Sequence, residues 1–330
     1  MAVASGRERC RAPYTLAMLT PEDASRVASE FDLGDEAELA GPVARGELGQ
    51  IWRLGTSRGS FAVKEWFDEI PRGELLEGAR FQEAAGATGV PCPSVHRRPD
   101  GSPFADVAGD TVAAYGWIDV RERDPSIDPE KVGALVGALH RVPFEGDEPP
   151  DPWYSQPVGR DRWDELVREL TQRGAPFAEG LRAIRDELLA LEDLIEAPSS
   201  LRTCHRDLWA DNLRATADGS LCLIDWDNAG RADPSGELAL ILFEFARGHA
   251  GRARALHSAY READGPGRVS RPGDFTMPIA QLAHIGERQC ALWLTAATDE
   301  ARDRAGAGAR EFVDEPLTRE VIRDLLDAIG

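Results

Sequence analysis

The chain of 330 residues is long enough for one two-lobed enzyme or for two domains, and its hydrophobic fraction of 42% is ordinary for a globular protein. Its 58 acidic residues outnumber 38 basic ones, so the net charge of −20 argues against nucleic acids and anionic membranes as partners and favours cationic ligands. Five scattered cysteines without a C-x-x-C pair, and the lack of an apolar segment of transmembrane length, favour a cytoplasmic protein with neither a disulfide framework nor a zinc site.

The N-terminal region, residues 1–39, is expected to contain a disordered leader, residues 1–13, and one helix. Thr20 has the side chain of a helix cap, Pro21 suits the first helical position, and Asp23 completes a capping box. The helix is therefore predicted to begin at this point.

Residues 40–117 have the pattern of a small sheet. Strand-like segments lie at residues 44–54, 60–66 and 103–115, and a helical segment lies at residues 73–88. Gly46 and Gly49 interrupt the first segment, as expected for a hairpin turn. Lys64 lies among apolar residues of a strand, which is unusual unless its charge is used; the alternative is an outward-facing surface lysine.

Residues 118–330 are mainly helical in pattern. Helices are predicted at residues 128–140, 161–173, 176–196, 234–247, 252–262, 276–298 and 316–329. Asp128 is the expected N-cap of the first of them. The loop at residues 144–159 is long for a compact domain, and such loops are often functional. Three of its residues have the side chains of a binding site: Asp151, Trp153 and Tyr154.

Two acidic motifs flank a turn between residues 201 and 237. The first is His205-Arg206-Asp207 with Asn212 five residues after the aspartate, and the second is Asp225-Trp226-Asp227. Between them, Asp218-Gly219 is a strong hairpin signal, and the segments on either side read as short strands. We therefore expect Asp207, Asn212 and Asp225 to converge at one end of a small β-ribbon.

Phosphoryl transfer needs such a set of side chains. One aspartate orients the acceptor hydroxyl and takes its proton, while an asparagine and a second aspartate hold Mg²⁺ against the nucleotide phosphates. This pattern assigns Asp207 as the base and Asn212 and Asp225 as the metal ligands, and His205 is expected to brace the loop through hydrogen bonds. A single Asp or Asn is more often a turn former or a helix cap, so only the whole constellation points to catalysis.

The stretch resembles the aminoglycoside phosphotransferase and choline kinase-like family, whose loop reads His-x-Asp-x-x-x-x-Asn. The family's metal motif is Asp followed by Trp or Phe and an acid, which Asp225-Trp226-Asp227 fits better than the Asp-Phe-Gly of protein kinases does. Arg206 departs from the family, which more often has Gly there, and matches protein kinases instead. The resemblance implies an α+β, two-lobed, protein-kinase-like fold with a small antiparallel β-sheet N-lobe, a larger helical C-lobe and an active site in the cleft.

The resemblance also implies a site for ATP or GTP with Mg²⁺. The turn at Gly46 and Gly49 would cover the phosphates, and Lys64 would pair with the α- and β-phosphates. Tyr115 and Trp117 lie in a segment that resembles the hinge whose backbone binds the base. Three acids of the predicted helix are candidates to hold the lysine: Glu77, which is preferred, Glu74 and Glu83.

The implied activity is transfer of the γ-phosphoryl group to a hydroxyl of a small molecule. Residues 144–200 form an insert for which a protein kinase has little room, and this family builds its acceptor pocket from it. Aminoglycosides, other antibiotics, choline-like amines, sugars and amino alcohols all fit, and the acidic charge favours a cation. The expected acceptor residues are Asp151, Trp153, Tyr154 and Asp227, although Trp153 has an equally good alternative role in pinning the loop.

Two other functions stay open from the sequence. A protein kinase is supported by Arg206 and opposed by Trp226, the insert and the missing activation loop. A non-catalytic nucleotide-binding regulatory protein is opposed by the complete set of chemical residues.

Overall fold

The computed structural model describes residues 18–46, 49–67, 71–147 and 149–330, except for the side chain of Glu74. The predicted leader, residues 1–13, lies outside the described residues. The chain divides into two compact units: unit 1 is Met1–Pro71 with Ser94–Trp117, and unit 2 is Arg72–Pro93 with Ile118–Gly330. The larger sheet lies in the N-terminal part and the C-terminal part is mainly helical, which confirms the predicted α+β class.

The described residues of unit 1 form a six-stranded antiparallel sheet and one short helix. A 3₁₀ turn at Pro21–Asp23 leads into helix α1, Ala24–Glu30. The strands are β1 Glu38–Arg45, β2 Gly49–Thr56, β3 Gly59–Trp66, β4 Val95–His96, β5 Ala105–Val107 and β6 Asp110–Gly116. Their order is β1-β2-β3-β6-β4, and β5 also pairs with β6.

The first strand begins earlier than the sequence pattern indicated. The pattern predicted a strand from residue 44, whereas β1 begins at Glu38. The pairing with β2 is irregular between Ala40 and Ala44, and this irregularity accommodates the proline on an edge strand.

Lys64 is not an outward-facing surface lysine. Alternation along β3 places Phe61 and Val63 in the core that packs against α1, and Lys64 points to the opposite face of the sheet. Lys64 is nevertheless only 8% exposed, and its Nζ lies 5.6 Å from the centroid of the Trp66 ring. A buried ammonium group indicates that its charge is used.

The next residue, Glu65, holds the N-terminal segment against the sheet. Its Oε1 accepts a 2.7 Å hydrogen bond from the Leu19 N–H, and its Oε2 accepts from Gln50 Nε2 at 2.7 Å and from Trp52 Nε1 at 2.8 Å. Burial and the neighbouring Glu65 charge raise the pKa of the Asp110 carboxyl to about 6. This environment therefore favours the protonated form of the Asp110 carboxyl.

Asp110→Asn should stabilise the protein above about pH 6 and flatten its stability profile between about pH 4 and 6. The folded-state pKa of Asp110 lies above the usual value for Asp, so its contribution is fully present below the unfolded-state pKa and is lost as pH rises through about 6. An amide at this position keeps a donor without the charge. Thermal unfolding across this pH range measures the effect, with the exposed Asp35→Asn as the matched control. An Asp110→Asn profile parallel to that of the parent would contradict the raised pKa of Asp110.

Unit 2 is built from helices around two small β-ribbons. The helices are α2 Arg72–Ala87, α3 Pro129–His140, α4 Arg160–Gln172, α5 Ala178–Glu192, α6 Pro234–Ala246, α7 Ala250–Glu262, α8 Thr276–Thr295, α9 Asp299–Asp314 and α10 Arg319–Ile329. The strands are β7 Arg202–Cys204, β8 Leu213–Ala215, β9 Leu221–Leu223 and β10 Gly230–Ala232. Strand β7 pairs with β10 and β8 with β9, both antiparallel. Helix α6 is buried on almost every side and forms the centre of the core.

Local signals identified most of these elements. The Asp128 carboxylate accepts a 3.0 Å hydrogen bond from the Glu130 N–H, which confirms the predicted cap of α3. The hairpin between β8 and β9 turns at Asp218-Gly219 as predicted. Among the described residues, no helix is both long and apolar enough to cross a membrane.

Helix α9 was missed by the sequence analysis. The pattern gave one helix over residues 276–298, whereas α8 ends at Thr295 and Thr298 caps a new helix by accepting a hydrogen bond from the Ala301 N–H. Alanines and glycines fill the middle of α9, so no stripe of large apolar side chains marks it. Its buried face includes the small residues Ala305 and Ala309.

Candidate active site

The β-ribbons of unit 2 bring the two acidic motifs together. Strand β7 ends at Cys204 and β8 begins at Leu213, so Asp207 and Asn212 lie in the loop between them. Asp225 follows β9, and the Ile224 N–H donates a 2.9 Å hydrogen bond to the Asn212 carbonyl. The hairpin thus places the second motif directly beside the loop of the first.

The Asp207 carboxylate is held by two amides. Its Oδ2 accepts hydrogen bonds from Asn212 Nδ2 at 2.8 Å and from Asn228 Nδ2 at 3.2 Å. Asn212 Nδ2 also donates to the Asp207 carbonyl at 2.9 Å. Because the nitrogen of the Asn212 amide faces Asp207, the Oδ1 at its other end is the atom suited to a hard cation.

His205 braces the loop from within the core. It is fully buried, and its Nε2 lies 3.1 Å from the Ile224 carbonyl oxygen. A carbonyl only accepts, so Nε2 carries the proton. Burial lowers the pKa of His205, which keeps the ring neutral, and the ring packs against Trp226 with 4.9 Å between centroids.

A buried glutamate that sequence reasoning missed supports the same loop. Glu237 of α6 has no exposed surface, and its carboxylate accepts the N–H groups of His205 and Arg206. His140 Nε2 lies 2.7 Å from Glu237 Oε2, and His140 Nδ1 lies 2.8 Å from the Tyr260 hydroxyl. Burial raises the pKa of Glu237, but the His140 hydrogen bond and the surrounding donors outweigh it and lower the pKa overall. His140 is therefore a structural histidine.

The backbone at position 206 explains why the family more often has glycine there, and the side-chain contacts explain the arginine of this chain. The Arg206 φ of 65° lies in the left-handed region, which glycine adopts without strain. The arginine side chain makes contacts that a glycine lacks: Nε donates to the Asn228 carbonyl at 2.5 Å, and the guanidinium lies 4.5 Å from the centroid of the Tyr154 ring. Arg206 thus ties the loop between β7 and β8 to two neighbouring segments.

The second motif is anchored by its tryptophan. Trp226 is buried, donates from Nε1 to the Leu223 carbonyl at 3.2 Å and packs against Phe81 of α2. A Cβ on Gly78 of the same helix would lie 2.5 Å from the Trp226 carbonyl oxygen, so only glycine permits this approach. Asp225 itself is exposed and has a φ of 60°, and Asp227 is half-buried.

The predicted nucleotide-binding residues are divided between the units. In unit 1, the Gly46 N–H donates to the Gly49 carbonyl at 2.9 Å, and a Cβ on Gly49 would lie 2.3 Å from the Glu65 carbonyl oxygen. Also in unit 1, Tyr115 pairs with Ala62 in the sheet, and the Trp117 N–H donates to the Ser60 carbonyl at 3.3 Å.

The candidate acids lie on α2 in unit 2. Glu77 is 7% exposed, and its Oε2 accepts a 3.2 Å hydrogen bond from the Asp147 N–H. Glu83 is half-buried.

Three of the four predicted acceptor residues, Asp151, Trp153 and Tyr154, lie in a well-anchored loop of unit 2. Asp151 Oδ1 accepts from the Trp153 N–H at 2.9 Å and so caps a 3₁₀ turn, Pro152–Tyr154. Trp153 stacks on His284 of α8 with 5.0 Å between ring centroids. Tyr154 is buried beneath Arg206, and burial raises its pKa.

A small cavity of about 40 Å³ lies beside this loop. It is bounded by the insert, by the start of α6 and by the segment before α8. Its lining includes these charged and aromatic residues: Asp151, Tyr154, Glu196, Arg231, Asp233, Arg271 and Asp274. Asp207, Asn212 and Asp225 are not among the lining residues, so the cavity is distinct from the two acidic motifs.

The sequence profile of the phosphotransferase enzyme family matches residues 40–271. The chain belongs to this family. Membership confirms the resemblance and the predicted enzyme class, a small-molecule phosphotransferase. No curated protein is significantly similar in sequence.

Solved structures of phosphotransferases share the kinase-like fold. A spectinomycin phosphotransferase in complex with ADP and spectinomycin has a TM-score of 0.64 at 14% identity, covering 94% of this chain and 99% of its own. An aminoglycoside phosphotransferase from Alicyclobacillus acidocaldarius has a TM-score of 0.59 at 18% identity, covering 98% and 97%. An amicoumacin kinase with AMP-PNP and Ca²⁺ has a TM-score of 0.57 at 13% identity, covering 89% and 93%. These similarities confirm the predicted fold.

Proposed function

We propose that this protein transfers the γ-phosphoryl group of ATP or GTP, with Mg²⁺, to a hydroxyl group of a small, cationic molecule. The observation that carries the proposal is the Asp207 carboxylate held by Asn212 directly beside the loop of Asp225. The family and the nucleotide-bound relatives support phosphoryl transfer. The spectinomycin and amicoumacin of two relatives support an antibiotic acceptor, and with it a role in resistance.

The donor set fits a divalent metal of the Mg²⁺ type. Asn212 Oδ1 and the exposed Asp225 carboxylate are hard oxygen donors on adjacent segments. These two residues would hold the ion, which when bound neutralises charge on the transferring phosphoryl group.

Few of the chain's own residues take part in the proposed reaction. The oxygen of the acceptor hydroxyl attacks the γ-phosphorus, and Asp207 accepts the proton of that hydroxyl. The bond between the γ-phosphorus and the β-phosphate oxygen breaks, which releases the nucleoside diphosphate. His205 and Glu237 hold the loop in place through their hydrogen bonds. Lys64 is assigned to the phosphates, with Glu77 as its acidic partner.

Backbone groups complete the proposed nucleotide site. The turn at Gly46 and Gly49 is assigned to the phosphates, and the backbone at Tyr115 and Trp117 to the base. The free thiols support a reducing cytoplasm as the site of action: Cys92, Cys204, Cys222 and Cys290.

A cationic acceptor is supported by the chain's charge of −20 and by the insert. We propose that the acceptor pocket lies against residues 144–200 and the C-terminal helices, with Asp151, Trp153 and Tyr154 in its wall and Asp227 at its catalytic end. Asp151 and Tyr154 line the small cavity between the insert and the segment before α8, which supports their place in this wall. The indole of Trp153, half-buried and stacked on His284, presents an aromatic surface for a cation.

The proposed function is tested by measuring the release of ADP or GDP in the presence of each compound of a hydroxyl-bearing panel. Purified protein with Mg²⁺ and ATP or GTP is offered aminoglycosides, other antibiotics, choline-like amines, sugars and amino alcohols, and product phosphorylation is verified by mass spectrometry. We expect release of the nucleoside diphosphate, and this release should require both an acceptor and Mg²⁺. Tight Mg²⁺-dependent nucleotide binding without transfer to any compound would instead indicate a non-catalytic nucleotide-binding protein. Phosphorylation of a protein substrate alone would indicate a protein kinase.

Trp153→Ala should raise the acceptor KM by about 2- to 30-fold with little change in the nucleotide KM. This range corresponds to a cation–π contact of about 0.5–2 kcal/mol. Steady-state kinetics and thermal unfolding are measured together, and Trp293→Ala, a half-buried tryptophan packed on Phe177, is the matched control. A lower melting temperature with an unchanged acceptor KM would show that Trp153 only pins the loop.

A further inference from the structure

Asn228 contacts two consecutive residues of the catalytic loop. Its Nδ2 donates to Asp207 Oδ2 at 3.2 Å, and its backbone carbonyl accepts from Arg206 Nε at 2.5 Å. The oxygen that it contacts is the same one that accepts from Asn212 Nδ2. Asn228 lies one residue beyond the Asp225-Trp226-Asp227 motif and belongs to neither pattern that marked the site in the sequence.

We propose that Asn228 is a positioning residue that fixes the plane of the Asp207 carboxylate for phosphoryl transfer. The inference rests on the proposed function, because it gives Asp207 the part of the base. A carboxylate held by one donor still turns about its terminal bond, whereas two amide donors on one oxygen restrict that rotation. The donors also come from different segments, one from the catalytic loop and one from the loop after β9.

The surroundings argue for orientation rather than for a general role in stability. Asn228 is half-buried, and within the described part of the chain the one hydrogen bond that its side chain makes is the bond to Asp207. Arg206 Nε holds its carbonyl and so fixes where the amide is presented. The residue that aligns the base therefore belongs to the same loop as Asp225, the proposed metal ligand.

The geometry also explains the choice of side chain. An aspartate at this position would place a second negative charge 3 Å or so from the first, and a leucine of similar shape would offer no donor. Small displacements of a base are costly, since a misplacement of about 1 Å can reduce a rate by roughly 10²-fold.

Crystal structures of the parent and of Asn228→Leu with Mg²⁺ and AMP-PNP test the contact without requiring a known acceptor. We expect the Asp207 carboxylate to rotate or to occupy two orientations in the variant while the backbone of the loop superimposes. An Asp207 carboxylate that keeps the same orientation and the same bond to Asn212 would overturn the proposal.

Kinetics with the acceptor found in the panel provide the second readout. Asn228→Leu should lower kcat by about 10²-fold with nucleotide and acceptor KM values nearly unchanged, and Asn228→Asp should lower it at least as far. Gln289→Leu, which removes a half-buried amide from α8, is the matched control. Equal kcat values in Asn228→Leu and the parent would also overturn the proposal. If the parent transfers to no acceptor, the proposed function fails, and the crystal structures still decide whether Asn228 orients Asp207.

Discussion

Asp207→Asn is expected to lower kcat for phosphoryl transfer by about 10²–10⁴-fold while the fold and nucleotide affinity are retained. The carboxylate is the proposed proton acceptor, and an amide of the same shape cannot take a proton from a hydroxyl group. Asn212 Nδ2 already donates to this side chain, so the new amide would turn its oxygen towards Asn212 and its nitrogen towards the acceptor. The variant therefore removes the base and adds a competing donor.

Steady-state kinetics with the acceptor from the panel measure kcat. Calorimetry with Mg²⁺ and AMP-PNP measures nucleotide affinity. Asp211→Asn is the matched control, because Asp211 is an exposed acid of the same loop whose carboxylate pairs with Arg123 at 3.2 Å. Full activity in Asp207→Asn would remove this residue from the mechanism. Loss of nucleotide binding would mean that the substitution disturbed the loop instead.

Asp225→Ala is expected to abolish the dependence of nucleotide affinity on Mg²⁺. Asp225 is the proposed carboxylate ligand between the ion and the phosphates, and hard cations of this type bind through such oxygens. Calorimetric titration with the nucleotide in Mg²⁺ and in EDTA should give two different affinities for the parent and a single, weak affinity for the variant.

The backbone of Asp225 requires a second variant. Its φ of 60° strains an alanine, whereas Asp225→Gly removes the carboxylate and tolerates this conformation. The two variants should behave alike if the carboxylate is the cause. A glycine variant that responds to Mg²⁺ as the parent does would contradict the metal assignment, and Asp211→Ala provides the control for loss of a nearby exposed acid.

Local sequence signals were sufficient to predict contacts between residues that lie close to one another along the chain. Asp218-Gly219 set the hairpin, and the hairpin brought Asn212 beside the loop of Asp225. The five-residue spacing of Asp207 and Asn212 matched their 2.8 Å contact. Each of these relations depends on a turn or a short loop, and turn chemistry is legible in sequence.

Contacts between distant segments left no such signal. Glu237 lies in a helix whose apolar residues made it read as core, and nothing near it indicates that its carboxylate receives the N–H groups of a loop packed against it. Asn228 follows a motif that already had an explanation, and nothing in the sequence linked its amide to Asp207. Arg206 looked like a trait of protein kinases until its left-handed backbone and its contact with Tyr154 gave it a structural cause.

The placement of Glu237 also bears on how this protein loses activity on heating. One carboxylate with no exposed surface joins the catalytic loop, helix α6 and, through His140, helix α3. A loop on the surface can fray while the rest of a protein stays intact. This loop can loosen only if the buried Glu237 carboxylate loses its hydrogen-bond donors, which costs roughly several kcal/mol. Inactivation and melting of the core should therefore be a single event, and catalytic activity serves as a direct gauge of whether α3 and α6 are still docked.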